Sequence, residues 1–372
     1  SLGATSSTVY TDTCTASSDG TPTVSVAAGA FNDAVGNDNS VSNTYTWTYD
    51  GTAPTMAITS ATVVSGASTA TAAIALTFTS NEATTDFVQD DIDESGCSLG
   101  GSLGATSSTV YTDTCTASSD GTPTVSVAAG AFNDALGNDN SVSNTYTWTY
   151  DTTAPTIGIT IVAADNYVNE DEYEDNGFDV VGSVSGANGQ TVTVDYGGAS
   201  STCAAASGAF TCTFSTSVLA AANSGSGVSD SSSPGVTVTA NVDDAAGNSA
   251  TGASVSITQD TADPTMTITS GTVSSGASTT TAAIALTFTS SEATTDFVVG
   301  DITESGCTLG DLGTTSSTVY TATCTATSDG TPTVSVAAGD YTDTAGNGNT
   351  VSNTYTWTYD STGPTMVITS AT

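Results

Sequence analysis

Residues 73–78 read Ala-Ile-Ala-Leu-Thr-Phe, and this stretch decides the fold class. Its large apolar residues, Ile74, Leu76 and Phe78, fall at every second position, which is the period of a β-strand with one buried face. Tyr and Trp alternate with Thr in the same way over residues 145–150. Such runs are rich in Thr, Val and Tyr and are separated by turn sequences. Several short strands per hundred residues, without helical periodicity, predict an all-β fold of antiparallel β-sandwiches.

The chain repeats itself at a spacing of about one hundred residues. Residues 1–50 return as residues 102–151 with one change, Val35 to Leu136, and a looser copy runs from about residue 313 to 360. An Asp stands four residues before a Pro at four places: Asp50 and Pro54, Asp151 and Pro155, Asp260 and Pro264, Asp360 and Pro364. The spacing between these prolines is one domain length each time, which predicts a serial array of domains.

The repeat boundaries predict three whole repeats, residues 51–151, 152–260 and 261–360. Residues 1–50 are then the C-terminal part of a repeat, and residues 361–372 are the first strand of a further one. Since the first residue is not an initiator Met, we expect the sequence to be a piece of a longer chain. The longest apolar-rich run, residues 71–78, is far too short to span a bilayer.

Short motifs recur at matching places in the repeats. In residues 51–151 they are Glu82-Ala83, Asp86-Phe87, Asp91-Ile92, Asp120-Gly121-Thr122, Val125-Ser126-Val127 and Asp134-Ala135-Leu136-Gly137-Asn138, and residues 261–360 carry them equally well. With these motifs the chain resembles the bacterial Ig-like repeats of large cell-surface proteins and adhesins. The middle repeat is similar to a sister type through Gly189-Gln190-Thr191 and Asp244-Ala245-Ala246-Gly247-Asn248. The resemblance implies tandem immunoglobulin-like β-sandwich domains, which serve as spacers, binders and fibre subunits alike.

Charge excludes most enzymatic functions. The chain has no Lys, Arg or His but 38 Asp and Glu, a formal charge of −38. Ser-His-Asp and Cys-His catalysis lack their imidazole, Schiff-base chemistry lacks its lysine, and phosphate clamps lose their usual cations. The same charge disfavours nucleic acid and anionic membranes as partners. We therefore predict that the protein is not an enzyme and neither binds nucleic acid nor inserts into membranes.

Acidic residues at the repeat boundaries suggest a calcium site. Four Asp-x-x-Gly-Asn motifs stand 16 or 17 residues before the four linker aspartates, and the eight candidate ligands are Asp33, Asp50, Asp134, Asp151, Asp244, Asp260, Asp343 and Asp360. Ca²⁺ binds six to eight oxygens of the kind that Asp- and Asn-rich loops supply. Our hypothesis is that Ca²⁺ binds at the repeat junctions and stiffens the chain. The alternative is turn chemistry alone, because Asp followed by Gly-Asn is also a favourable turn sequence.

A denser acidic run lies in the middle repeat, between Asp165 and Asp179. It is interpreted as a solvated loop, with a second cation site as the alternative.

Seven cysteines indicate an oxidising compartment. Cys97 with Cys115, Cys307 with Cys324, and Cys203 with Cys212 on either side of an expected hairpin predict three disulfides within repeats. Cys14 is left over. By the repeat spacing its partner would stand five residues before Ser1, and an intermolecular disulfide is the alternative.

These observations predict an extracellular structural repeat protein that forms a surface stalk or a filament, either by self-association or as part of a longer array. The alternative function is an adhesin or glycan-binding module, in which Trp47, Trp148 and Trp357 would stack on sugars. Because each Trp alternates with Tyr on one strand face, we interpret the three as core residues. Rows of Ser and Thr also leave room for attached glycans.

Overall fold

The computed structural model describes residues 2–223 and 233–369. Ser1 and residues 370–372, where the predicted terminal segments begin and end, lie outside the described residues. The chain divides into two compact units, Ser1–Thr153 with Ala245–Asn248 and Ala154–Asp244 with Ser249–Thr372. Strands dominate both units, as the alternating sequence predicts.

The strands are numbered in chain order. Residues 2–50 contain β1 (Gly3–Ala4), β2 (Tyr10–Thr11), β3 (Thr23–Val24) and β4 (Tyr45–Thr46). Residues 51–151 contain β5 (Met56–Thr59), β6 (Ser68–Thr69), β7 (Ala73–Ser80), β8 (Ile92–Ser95), β9 (Cys97–Leu99), β10 (Gly104–Ala105), β11 (Val110–Ala117), β12 (Thr124–Val127), β13 (Tyr146–Thr147) and β14 (Thr149–Tyr150).

The remaining strands belong to the middle repeat and the repeat after it. The middle repeat contains β15 (Thr156–Val162), β16 (Tyr167–Val168), β17 (Phe178–Ser185), β18 (Thr191–Tyr196), β19 (Ala199–Ala204), β20 (Ala209–Phe214), β21 (Ser233–Val242) and β22 (Ala253–Gln259). Residues 261–360 contain β23 (Met266–Thr269), β24 (Ser278–Thr279), β25 (Ala283–Ser290), β26 (Ile302–Ser305), β27 (Cys307–Leu309), β28 (Gly313–Ser316), β29 (Val319–Ala326), β30 (Thr333–Val336), β31 (Tyr355–Thr356) and β32 (Thr358–Tyr359).

Each whole repeat is a two-layered β-sandwich. In residues 51–151 one sheet has the order β10-β11-β7-β5, with β9 also paired to β11, and the other has the order β13-β12-β8. The predicted alternation of buried and exposed side chains is present in β7, where Ile74, Leu76 and Phe78 are at most 1% exposed. Burying each such side chain contributes roughly 1.5–3 kcal/mol, which explains why the register is fixed. The tandem Ig-like sandwich fold is thereby confirmed.

Two features depart from a purely antiparallel all-β expectation. In each whole repeat a short edge strand pairs in parallel: β6 with β14, β16 with β22 and β24 with β32. The middle repeat also contains α1 (Thr216–Asn223) and a π-helical turn (Asp171–Asn176), while short 3-10 turns occupy Gln89–Asp91 and Val299–Asp301. The acidic run that we interpreted as a loop is thus partly helical, because Tyr173 packs against the core of its repeat.

Three disulfides join the predicted pairs. Cys97–Cys115 and Cys307–Cys324 each lie within one sheet, between β9 and β11 and between β27 and β29. Cys203–Cys212 is different from our expectation of a hairpin, since β19 pairs with β18 and β20 pairs with β17. The two strands belong to opposite sheets, and this disulfide therefore ties the sandwich across its layers.

Each whole repeat has its own apolar core. Trp148 and Trp357 are completely buried in two of them, packed beside Tyr146 and Tyr355 with ring centroids about 6 Å apart. The interpretation of these two indoles as core residues is confirmed. Trp47 is half-buried in the N-terminal segment.

The C-terminal segment does not form the strand that its sequence predicts. Residues 361–369 contain no strand, and Met366, Val367 and Ile368 are more than 80% exposed. The counterparts of Met366 and Ile368 in β5, Met56 and Ile58, are buried because they pair with β7. Residues 361–369 have no such neighbour among the described residues, and a strand without a ladder partner is not maintained.

Candidate functional site

The Asp-x-x-Gly-Asn motifs form turns closed by their own carboxylate. Asp134 Oδ1 accepts hydrogen bonds from the Leu136 and Asn138 N–H groups at 2.8 and 2.9 Å, and its Oδ2 accepts from Asn138 Nδ2 at 2.7 Å. Asp343 does the same with Ala345 and Asn347. These bonds, led by the one from the Asn138 side chain, hold the pKa of Asp134 below its usual value. The turn chemistry that we weighed as the alternative is therefore present.

The Asn of each turn also holds the linker where its own repeat starts. Asn138 Nδ2 donates to the Asp50 carbonyl at 3.1 Å, and Asn347 Nδ2 donates to the Asp260 carbonyl at 2.8 Å. In the first compact unit Asn248 Nδ2 likewise donates to the Asp151 carbonyl at 2.9 Å. Three linkers are thus fixed by one repeated contact.

Sequence spacing alone did not decide which linker Asp each turn Asp would approach. In the structure the end of the turn segment approaches the proline where the repeat starts, because Ser141 N–H donates to the Pro54 carbonyl at 2.9 Å and Thr350 N–H to the Pro264 carbonyl at 3.0 Å. Asp134 therefore lies with Asp50, 84 residues earlier, and Asp343 with Asp260, 83 residues earlier.

Two groups of three carboxylates result at these joints. Each group offers carboxylate oxygens that all lie within 4.8 Å of one another. We call them the Asp50 site (Asp50, Glu82, Asp134) and the Asp260 site (Asp260, Glu292, Asp343). Of the eight predicted ligands they bring together Asp50, Asp134, Asp260 and Asp343, while Asp33, Asp151, Asp244 and Asp360 belong to neither of these groups of described residues.

Sequence reasoning missed Glu82 and Glu292. Both stand in the Glu-Ala motif that follows β7 and β25, and their recurrence at one place in two repeats was the available signal. In the middle repeat the strand register places no carboxylate at the position of Glu82. Thr156 pairs with Ser185 there, and Gly186 therefore occupies the position of Glu82.

Electrostatics make the Asp260 site unfavourable without a positive partner. No Lys, Arg or His exists in the chain to offset its negative charge. Burial, together with the negative charges of Asp260 and Asp343, raises the pKa of Glu292 to about 7, and burial also raises the pKa of Asp260. The Asp260 site therefore has to hold a proton or a cation near neutral pH.

The donor set fits a hard cation. Three carboxylates with no nitrogen or sulfur ligand suit Ca²⁺ or Mg²⁺ and not zinc. The turn aspartates are 94% and 93% buried and already oriented by their Asn partners, as a preformed ligand requires. A site with three carboxylates leaves further coordination positions to water or to backbone oxygens.

At the C-terminal end of a repeat, a second Asp accepts hydrogen bonds from the linker that follows. Asp120, in the Ser-Asp-Gly turn before β12, accepts from Thr152 N–H at 2.9 Å and from the Thr152 and Thr153 hydroxyls at 2.8 Å each. These bonds lower the pKa of Asp120, with the Thr152 side chain as the largest cause. Asp19 and Asp329 hold the linker residues after Asp50 and Asp360 in the same way.

Comparison with known proteins identifies the domain family. A profile of the bacterial Ig-like domain matches residues 50–150 and 260–359, together more than half of the chain. The chain belongs to the bacterial Ig-like domain family. No curated protein matches it significantly.

Several solved structures of bacterial adhesins align with much of this chain at low similarity. The Escherichia coli adhesin FdeC is 12% identical, with a TM-score of 0.39 and coverage of 83% of this chain and 98% of that one. A 1.5-MDa bacterial ice-binding adhesin is 19% identical, with a TM-score of 0.35 and coverage of 82% and 98%. Invasin, a bacterial integrin-binding protein, is 16% identical, with a TM-score of 0.30 and coverage of 76% and 56%. At such identities these likenesses concern the fold alone.

Proposed function

We propose that this chain is part of an extracellular stalk or filament whose joints are stiffened by Ca²⁺ at the Asp50 and Asp260 sites. The observation that carries the proposal is the convergence of a linker Asp, a turn Asp and a Glu at the start of two repeats, beside an Asn that already holds the linker. A Ca²⁺ ion bound there would offset two of the three negative charges and link the joint to the body of the repeat. Rigid joints suit a mechanical spacer.

A structural role is supported by the buried tryptophans and by the near-identity of the repeats. The indoles of Trp148 and Trp357 are completely buried, which leaves the glycan-binding alternative without these two stacking surfaces. Near-identical repeats present near-identical surfaces, and contacts between such surfaces propagate into fibres. Self-association of this kind, and glycans on the Ser and Thr rows, are part of the proposal.

An exterior location is supported by the chemistry of the chain. Every whole repeat carries a disulfide, which persists in an oxidising environment. No helix among the described residues is long and apolar enough to cross a membrane. At the ionic strength of a saline medium the repulsion between so many carboxylates is screened within a few ångströms.

The test removes one carboxylate from each site. We expect millimolar Ca²⁺ to raise the melting temperature of the full chain relative to excess chelator, and the E82Q/E292Q variant to lose that increase. The matched control is E94Q/E304Q, which changes two exposed glutamates at equivalent places in β8 and β26 and has the same net charge. If the control loses the calcium effect equally, or if calcium leaves all three proteins unchanged, the cation is not held at these joints.

A further inference from the structure

The middle repeat contacts the following repeat through two residues at the start of its acidic run. Asn169 Nδ2 donates to the Ala345 carbonyl at 3.2 Å, and Glu170 N–H donates to Asn347 Oδ1 at 2.8 Å. Both acceptors belong to the Asp-x-x-Gly-Asn turn of residues 343–347. We call Asn169 and Glu170 the docking arm.

The turn that receives the docking arm has a buried residue on either side of its exposed glycine, Gly346. Ala345 and Asn347 are each only 3% exposed. A Cβ added at Gly346 would lie 3.1 Å from Asn169 Nδ2, and the φ of Gly346 is +94°. The positive φ favours glycine at this position, and the side chain of Asn169 lies close to the backbone of the turn.

The corresponding turn of residues 134–138 has no docking arm beside it, because residues 2–50 contain no counterpart of β16 or of the residues that follow it. Leu136, at the place of Ala345, is 52% exposed. A Cβ at Gly137 would meet none of the described atoms within 4 Å, and Asn138 is half-buried. Leu is larger than Ala by three carbon atoms, and a closed contact has no room for them.

The docking arm is held in place by its own repeat. Asn169 N–H donates to Glu172 Oε2 at 3.2 Å, and Glu172 N–H donates back to Asn169 Oδ1 at 3.0 Å. Immediately before the arm, the Val168 carbonyl accepts from Asp260 N–H at 3.0 Å. Arm and linker are thus fixed to one another, and little conformational freedom is lost when the arm meets its partner.

The carbonyl of the third turn residue, the position of Ala345, accepts a hydrogen bond in a second Asp-x-x-Gly-Asn turn of the chain. In the first compact unit the carbonyl of Ala246, the third residue of its turn, accepts from Ala70 N–H at 3.1 Å. The third turn residue is small in this case too. Docking through the third carbonyl is therefore a recurrent contact and not a peculiarity of Ala345.

We propose that the docking arm selects the repeat that can follow the middle repeat in a fixed orientation. Its partner is an Asp-x-x-Gly-Asn turn with a small third residue and an Asn at the fifth position. A repeat with Leu at the third position, such as residues 51–151, would be joined there without the docking contact. The inference needs no bound cation, and its failure would leave the calcium proposal untouched.

The test replaces Ala345 by the residue of the other turn. In excess chelator, hydrogen exchange at the Glu170 amide should accelerate at least ~10-fold in A345L, because its acceptor is displaced, while A345S should exchange like the original chain. L136A is the control, since it makes the reverse change in the turn without a docking arm, and it should leave exchange at Glu170 unchanged.

A second variant separates docking from a local defect of the turn. N169A removes the donor from the other repeat and should also accelerate exchange at Glu170. In the double variant the effects should not add, since both changes break one contact. Unchanged exchange in A345L and N169A, or full additivity of the two, would overturn the proposal.

Discussion

Residues 2–50 and 103–151 differ at a single position, yet their apolar faces have opposite environments. Phe31 is 60% exposed and its counterpart Phe132 is fully buried; Tyr45 is 65% exposed and Tyr146 is 2% exposed. Strand length changes as well, because β2 has two residues where β11 has eight. In residues 103–151 the face is covered by β5 and β7, and β11 pairs with β7. The pairing partner, and not the strand's own sequence, therefore determines both burial and strand length.

The largest expected difference between the two copies concerns the core. F132A should destabilise its repeat by about 3–5 kcal/mol, because it removes a buried ring and leaves a cavity. F31A, the same change in the other copy, should stay within about 0.5 kcal/mol because its ring is exposed. Chemical denaturation of both variants measures the two values. Equal effects would mean that residues 2–50 are covered in solution.

The disulfide gives the next largest contrast. C115S opens the bond to Cys97, which closes 18 residues of chain, and should cost roughly 3 kcal/mol. C14S alters an exposed free thiol and should not change the unfolding free energy. If C14S instead abolishes a dimer band on non-reducing electrophoresis, the intermolecular alternative for Cys14 is correct.

The turn aspartates of the two copies provide a test of the cation site, because only one of them belongs to it. D33N and D134N remove the same hydrogen bonds within their turns, but Asp134 belongs to the Asp50 site. We expect the calcium-dependent part of stability, about 1–3 kcal/mol at saturating ion, to fall in D134N only. Thermal unfolding with and without chelator measures it, and an equal loss in D33N would contradict the assignment.

A pH series extends this contrast to the Asp260 site. Folding raises the pKa of Glu292 from 4.5 to about 7, and its contribution is therefore complete below pH 4.5 and is lost as the pH rises through 7. In chelator, the loss between pH 5 and 8 should be about 1 kcal/mol after solvent screening and should be absent in E292Q. A loss of the same size in E292Q would mean that another group causes it.

The smallest effect is a gain. Asp113 is 8% exposed and its Oδ2 is buried without a hydrogen-bond partner, whereas Ala322 occupies this position in residues 261–360. D113A removes this unpaired oxygen together with the hydrogen bonds that Oδ1 accepts from the Gly100 and Thr114 N–H groups, and we expect a net gain of at most about 1 kcal/mol. D12A, at an exposed counterpart, should change little. A destabilised D113A in denaturant titration would show that the carboxylate is satisfied in solution.

Much of the fold was predictable because it depends on short-range patterns. Alternation marked β7, and the recurrence of Cys97 and Cys115 at matching places in residues 261–360 marked a disulfide. The partners of Asp134 were not predictable from spacing, because the strand topology carries its turn back to Asp50. Glu82 was missed for the same reason, and α1 was missed because its eight residues carry too little periodicity.

The central claim is that Ca²⁺ binds where the carboxylates converge, and isothermal titration calorimetry tests it most directly. We predict that the original chain binds two more Ca²⁺ ions than the E82Q/E292Q variant, one for each group of three carboxylates. Equal stoichiometry in the two proteins would contradict the account.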